Sequence, residues 1–282
     1  MILPILLGGL GNQLFQIFAT LAYSIKYNIP FGFLNKENTI GITERKTYWK
    51  TFLQPLSLYL INYWTRNIGI KEKNFNYNEL PIISENEKNI NIELSGYFQS
   101  PKYFEDYYDD IYKLLEINKQ KQLVSKKINF DYENTISIHF RIGDYAKFSH
   151  VYPILNLDYY KNALKLILST VKKEEKNNNI INVLYFCEEK DKKEVDVIIN
   201  ELKNNFTNIN FQCVLFFLQD WEQMLLMSCC KYNIIANSTF SWWGAYFNNF
   251  KDKIVCYPSK WFVEGNSNNT KDLFPSDWNM VL

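Results

Sequence analysis

The stretch Ile136-Ser137-Ile138-His139-Phe140-Arg141-Ile142-Gly143-Asp144-Tyr145 reads as one buried strand running into a polar turn. Further apolar runs recur at 180–187, 211–217, 232–236 and 253–257. They are short and rich in Ile, Val, Phe and Tyr, the pattern of strands covered on both faces. Amphipathic helical patterns alternate with them at 158–171, 192–204, 220–228 and 241–249, with Asp158 and Asp220 as expected caps. Strand alternating with helix predicts a doubly wound parallel sheet in the second half of the chain.

The N-terminal side opens in the same way. Residues 2–7 predict a strand, Gly8-Gly9-Leu10-Gly11 a turn, and 12–27 a helix with Leu14, Ile17, Phe18, Leu21, Ala22 and Ile25 on one face. Pro30 ends that helix before a second apolar run at 31–34, which makes a βαβ start. Residues 35–93 are polar and aromatic-rich and show no period, while the Lys/Asn-rich segment 172–179 predicts a solvated loop. The expected fold is therefore α/β, with an N-terminal α/β domain over 1–130 and a C-terminal Rossmann-like domain over 131–282.

Composition removes several function classes. Thirty-one basic against 30 acidic side chains leave a formal charge of +1 over 282 residues, which excludes a chain that grips nucleic acid by counterion release. Hydrophobic residues at 47% and aromatics at 17% exclude disorder. The five cysteines show no CxxC spacing, so buried free thiols are expected. The uncharged first 25 residues are interrupted by Gly8, Gly9, Gly11, Asn12, Gln13 and Gln16, so no transmembrane segment is expected and the chain reads as soluble and cytoplasmic. Only three arginines (Arg45, Arg66, Arg141) and two histidines (His139, His150) occur. Where lysine has taken nearly every basic position, a retained arginine points to a need for its planar fork.

In an open parallel sheet, ligands bind beyond the carboxyl ends of the strands. The residues there are His139, Arg141, Gly143 and Asp144; then Glu188 and Glu189; then Gln219, Asp220 and Trp221; then Asn237-Ser238-Thr239-Phe240-Ser241-Trp242; and finally Pro258-Ser259-Lys260-Trp261. An arginine at one strand end and hydroxyls at a helix start on another suit a phosphate, held without metal. Each residue also admits a plainer role. Asn237-Ser238-Thr239 suits an ordinary helix cap, Arg141 an ion pair with Asp144, and His139 a core position. Gly9-Leu10-Gly11-Asn12-Gln13-Leu14 is a partial dinucleotide fingerprint with Leu14 in place of the third glycine, and Glu37 near the acidic position leaves a nicotinamide-dependent oxidoreductase as an alternative. No metal-ligand spacing occurs, and Asp109-Asp110 reads as a solvated helix face.

Gly8-Gly9-Leu10-Gly11-Asn12-Gln13-Leu14-Phe15-Gln16, the His139-Phe140-Arg141-Ile142-Gly143-Asp144-Tyr145 segment, and Ile235-Ala236-Asn237-Ser238-Thr239-Phe240-Ser241-Trp242-Trp243-Gly244-Ala245 occur in that order. Together they resemble glycosyltransferase family 11, the α-1,2-fucosyltransferases. Gly96-Tyr97-Phe98-Gln99-Ser100, Trp261-Phe262 and Pro275-Ser276-Asp277-Trp278 are similar to the family's lesser signatures, so the resemblance covers nearly the whole chain. It implies a GT-B-like architecture of two Rossmann-like domains facing a cleft, the first on the acceptor side and the second on the donor side. It implies inverting transfer of L-fucose from GDP-fucose to a hydroxyl of a glycan or oligosaccharide acceptor, with no metal and no cofactor. Arg141 would neutralise the donor's β-phosphate, with Gly143, Asn237, Ser238, Thr239, Ser241 and Trp242 on the donor segment and Gly11, Asn12 and Gln13 on the N-domain side. Asp144 is the first expected general base, followed by His139 and Glu188. One departure is plain: Ile142 stands where the family usually has a second arginine. That departure keeps another GDP-sugar open as donor, and a non-catalytic nucleotide- or glycan-binding module is the rival from another class. A cytoplasmic protein, peripheral to a membrane where its acceptor is lipid-linked, fits the same resemblance.

Overall fold

The opening strand stops early. In a computed structural model, β1 covers Ile2–Pro4, and the chain bends through Gly8, whose φ of +74° favours glycine. Residues 1–40, 44–174 and 181–282 are described, Asp144, Lys172, Lys173 and Glu174 by backbone alone. The expected loop around 172–179 lies, beyond the end of its helix, outside the described residues.

α1 (Leu10–Tyr27) buries Leu14, Phe15, Ile17, Phe18 and Leu21 and ends at Asn28 in the left-handed region. Ile25, expected on the buried face, is exposed in the last turn. The short strands β2 (Phe33–Leu34) and β3 (Leu60–Ile61) pair with each other. β4 (Ile68–Lys71) and β5 (Ile92–Ser95) join β1 in a parallel sheet of order β1-β5-β4. Pro30 and Gly32 hydrogen-bond with Ile2, so the expected βαβ start forms beside β1. The unpatterned stretch 35–93 thus holds two strands and the start of a third. Strands of two to four residues, β4 largely exposed, are too short to write a period into sequence. α2 (Tyr108–Leu114) and α3 (Ile117–Ser125) follow.

The second half alternates as expected: β6 (Thr135–His139), α4 (Leu157–Glu174), β7 (Ile181–Phe186), α5 (Lys192–Asn205), β8 (Ile209–Cys213), α6 (Asp220–Cys229), β9 (Tyr232–Ile234), α7 (Thr239–Tyr246), β10 (Ile254–Pro258) and β11 (Asn279–Val281). All six strands are parallel in the order β11-β10-β9-β6-β7-β8. β6 lies at the centre, β7 and β8 running out one way and β9 to β11 the other. That reversal makes β6 and β9 the switch point of the sheet, where such folds open a crevice. The cysteines are all free thiols.

Alternation along β6 sorts the two faces. Ile136 and Ile138 join Val183, Tyr185, Leu164 and Val195 in the core under α4 and α5. Ser137 points the other way and accepts a hydrogen bond from Asn233 Nδ2 at 2.7 Å. The same amide donates to Met227 O at 2.9 Å, and Asn233 Oδ1 accepts from Asn248 Nδ2 at 2.7 Å. This buried polar chain ties the sheet to the end of α6 and to the loop after α7.

Four expectations shift. β8 ends at Cys213, and the apolar residues beyond it, Leu215 and Phe217, are exposed turn residues. α4 is capped by Asn156, whose Oδ1 accepts the Tyr159 N–H at 3.2 Å, while Asp158 lies in the first turn. α6 starts from a box in which Glu222 accepts the Gln219 N–H at 2.8 Å, with Asp220 one residue inside. The compact units are Met1–Gln120 with Asn268–Pro275, and Lys121–Ser267 with Ser276–Leu282. The division precedes residue 130, and a late segment returns to the first unit. β11, an edge strand of three residues, was not legible.

Candidate active site

The carboxyl end of β6 delivers His139 and Arg141, and the geometry around them comes from three turns. Arg141 Nη1 donates to Glu188 Oε1 at 2.7 Å, from the turn after β7. Its guanidinium lies over the Tyr145 ring, 5.2 Å from its centre. The Gly143 N–H donates to Asp191 Oδ2 at 2.7 Å. Gly143 has φ +30°, and a Cβ there would come within 2.6 Å of Glu188 Oε1. The turn is thus closed around a carboxylate that only a glycine can approach so nearly. Ile142 packs against the hydrophobic core beside β6, so its position in place of an arginine is a packing position. Asp144 sits in the 3-10 turn Gly143–Phe148, and its side chain lies outside the described residues.

The turn after β9 is stitched to this one. Tyr145 Oη donates to Asn237 O at 2.9 Å. Asn237 is fully buried, and its Nδ2 donates to Pro153 O at 2.9 Å and Trp261 O at 3.2 Å. Tyr145 stacks on Tyr152 at 4.5 Å, and Tyr152 meets Phe262 at 5.6 Å. The Trp261-Phe262 signature therefore closes on the same corner. Ser238 caps α7 by accepting the Phe240 N–H at 3.4 Å, so the helix-cap role expected for it holds. Ser241 Oγ is turned back onto Ala236 O and Ser238 O, and Thr239 is partly exposed at the helix start. Trp242 is not brought to the strand ends; its indole is fully buried among Trp243, Tyr246 and Trp278.

His139 is buried against Phe240, ring centres 5.5 Å apart, and its Nδ1 has no hydrogen-bond partner among the described residues. Burial, reinforced by the Arg141 charge, pushes its pKa down to about 3. The imidazole is neutral in the folded chain and a weak base. Because the folded pKa is below the unfolded value near 6.5, the unfolded chain takes the proton first. Stability is then whole above that value and falls as pH drops towards 3. Urea unfolding of wild type and His139→Asn at pH 7 and pH 5 should show the wild type losing about 2 kcal/mol more over that interval. Identical losses would refute the buried neutral imidazole.

In the first unit, the Gly8 turn is held by amides. Gln16 accepts the Leu7 N–H at 2.8 Å and donates to Leu7 O at 3.0 Å, occupying both backbone groups as a strand would. Gln13 Nε2 donates to Gly8 O at 3.1 Å and Lys46 O at 3.0 Å. Gly11 is buried in the first turn of α1, and half-buried Asn12 accepts from Gln99 Nε2 at 3.1 Å. Sequence reasoning missed Glu72, whose carboxylate accepts the Tyr97 and Phe98 N–H groups at 2.7 and 2.9 Å while Phe98 sits at φ +52°. Burial raises the Glu72 pKa against those two bonds.

Glu37, the acidic residue of the dinucleotide alternative, is exposed and paired with exposed Lys50. Asp109 and Asp110 are exposed on α2, as a solvated face should be. Among the described residues no three His, Cys, Asp or Glu side chains gather as metal ligands, and no helix is long and apolar enough to cross a membrane.

The model of Glycosyl transferase family 11 matches residues 57–281. The O-antigen biosynthesis glycosyltransferase WbnK of Escherichia coli is 34% identical over 194 residues, which are 66% of this chain but only 59% of that protein's length. The Alpha-1,2-colitosyltransferase of Escherichia coli is 27% identical, with 97% of this chain and 96% of that protein covered. Among solved structures, POFUT1 in complex with GDP aligns with 87% of this chain and 93% of its own at a TM-score of 0.49 and 11% identity. The ADP-heptose heptosyltransferase II of E. coli covers 57% of this chain and 42% of its own at a TM-score of 0.36 and 14% identity. With the family model spanning most of the sequence, including both the Arg141 and the Asn237–Ser241 turns, the chain belongs to glycosyl transferase family 11 and is a glycosyltransferase.

Proposed function

We propose that the protein is an inverting α-1,2-fucosyltransferase that moves L-fucose from GDP-fucose to a hydroxyl of a glycan acceptor. One observation carries the reading: Arg141 stands at the switch point of the sheet, its turn bonded through Tyr145 to the turn that starts α7. A permanently charged fork beside a helix start is what a departing nucleoside diphosphate requires. The acceptor oxygen attacks the anomeric carbon as the bond from that carbon to the β-phosphate oxygen breaks. The acceptor's proton passes to a base, for which we retain Asp144; His139 is too weakly basic and Glu188 is engaged by two cations. The negative charge left on GDP is met by Arg141 and the N–H groups at the start of α7, and such stabilisation is the largest contribution in comparable sites. The relative named for α-1,2-colitosyl transfer supports a 1,2 linkage and, with Ile142 packed against the core where the family usually has an arginine, favours a second reading in which another GDP-sugar is the donor.

A thermal-shift panel of nucleotides and nucleotide sugars, with and without EDTA, tests donor class and metal independence together. GDP and GDP-sugars should raise the midpoint by several degrees, unchanged by EDTA, and radiolabelled fucose should then pass from GDP-fucose to an oligosaccharide panel. Stabilisation by UDP or NAD(P) instead of GDP, or its loss in EDTA, would overturn the assignment. GDP binding without transfer of any GDP-sugar would leave a binding module.

A further inference from the structure

Glu188 is more than a neighbour of Arg141. Its two oxygens are divided between two cations, Oε1 on Arg141 Nη1 at 2.7 Å and Oε2 on Lys190 Nζ at 2.7 Å. The arginine is the more enclosed of the two, 23% of its side chain exposed against 62% for the lysine. The fold makes room for this carboxylate by placing Gly143, at φ +30°, where any Cβ would strike it. Asp191, three residues on, is engaged separately by the Gly143 N–H. Among the described residues, the carboxylate that meets Arg141 at the strand end is Glu188, and this cation is the one expected to meet a phosphate.

From this we propose that Glu188 is an internal counter-ion, which Arg141 exchanges for the phosphate of the donor while Lys190 retains the carboxylate. The proposal rests on the reading of the site as one for a nucleoside diphosphate. A half-buried guanidinium without an anion is costly, and Glu188 satisfies it while the site is empty. When a dianionic phosphate arrives, a carboxylate on the same fork opposes it, and like charges brought together weaken binding. Lys190, carried by the same turn as Glu188, keeps the displaced carboxylate neutralised, so the exchange strands no charge. The arrangement lowers donor affinity and, by the same amount, eases release of the spent diphosphate.

Calorimetric titration of wild type, Glu188→Gln and Arg141→Lys with GDP, inorganic pyrophosphate and guanosine tests the exchange. Glu188→Gln should bind GDP and pyrophosphate roughly tenfold more tightly, a change of one decade in Kd, while guanosine, which carries no phosphate, binds as before. Arg141→Lys should weaken both phosphate ligands. GDP affinity unchanged or reduced in Glu188→Gln, with Arg141→Lys still weakened, overturns the counter-ion role and leaves the phosphate site standing. Guanosine tightening in parallel with GDP also overturns it, since charge would then not be the cause. Failure of the wild type to bind either GDP or pyrophosphate removes the underlying reading itself. Unfolding midpoints of both variants within a few degrees of wild type keep these comparisons free of misfolding.

Discussion

Replacing Arg141 with lysine should cost about 10²–10³-fold in kcat for sugar transfer, even though the formal charge is kept, on the scale of losing one preorganised charge-stabilising donor. The arginine does three things at once. It donates to Glu188 through Nη1, lies over the Tyr145 ring, and presents a planar fork just beyond the end of β6. A lysine ammonium is a point charge on a flexible stem, and at this site it can reach Glu188 or a phosphate but not span both. The loss should fall mainly on kcat, because charge on the leaving diphosphate is greatest in the transition state. Initial rates with radiolabelled donor at saturating concentration measure it directly. Turnover near that of wild type would remove Arg141 from the role of phosphate clamp.

Asn233→Leu should destabilise the second unit by about 2 kcal/mol, from the buried Ser137 hydroxyl deprived of its Asn233 donor, while Met227 O keeps the Cys230 N–H at 3.2 Å. Asn233 is 1% exposed and donates to Ser137 Oγ on β6 and Met227 O at the end of α6. Leucine has the same branched outline but donates to neither acceptor. Asn248 keeps its bond to Cys230 O at 2.9 Å, so the damage is confined to the sheet side. Urea unfolding should show a lower midpoint with an unchanged slope, and transfer activity at low temperature should persist because no residue of the Arg141 turn is touched. An unfolding free energy within about 0.5 kcal/mol of wild type would show that the chain of amides is dispensable.

Residues with strong periods announced their own structure. The runs that became β6, β7, β9 and β10 are buried on both faces, so their composition alone marks them, and α1, α4 and α5 carry a helical period long enough to read. The strand ends mark His139, Arg141 and Asn237–Ser241 as candidates, because parallel sheets place ligands there. Residue type alone does not show which way the Trp242 and Ser241 side chains turn. On a helix only part of the circumference can face a crevice, and these side chains turn into the core or back onto the chain. The amides of Gln13, which the resemblance places on the N-domain side, and of Gln16 hold the Gly8, Lys46 and Leu7 backbone in the first unit.

The sequence by itself determined that the chain is α/β, that its second half is a parallel sheet, and that Arg141 lies at a strand end. Those properties depend on periodicity and residue type over a dozen positions at most. Only the tertiary structure decided strand order, and therefore that β6 and β9 meet at the switch point. Only it decided that Arg141 pairs with Glu188, across 47 residues of chain. Pairings of that kind depend on which strands lie side by side, and side-by-side placement is a property of the whole sheet's packing that no local pattern encodes.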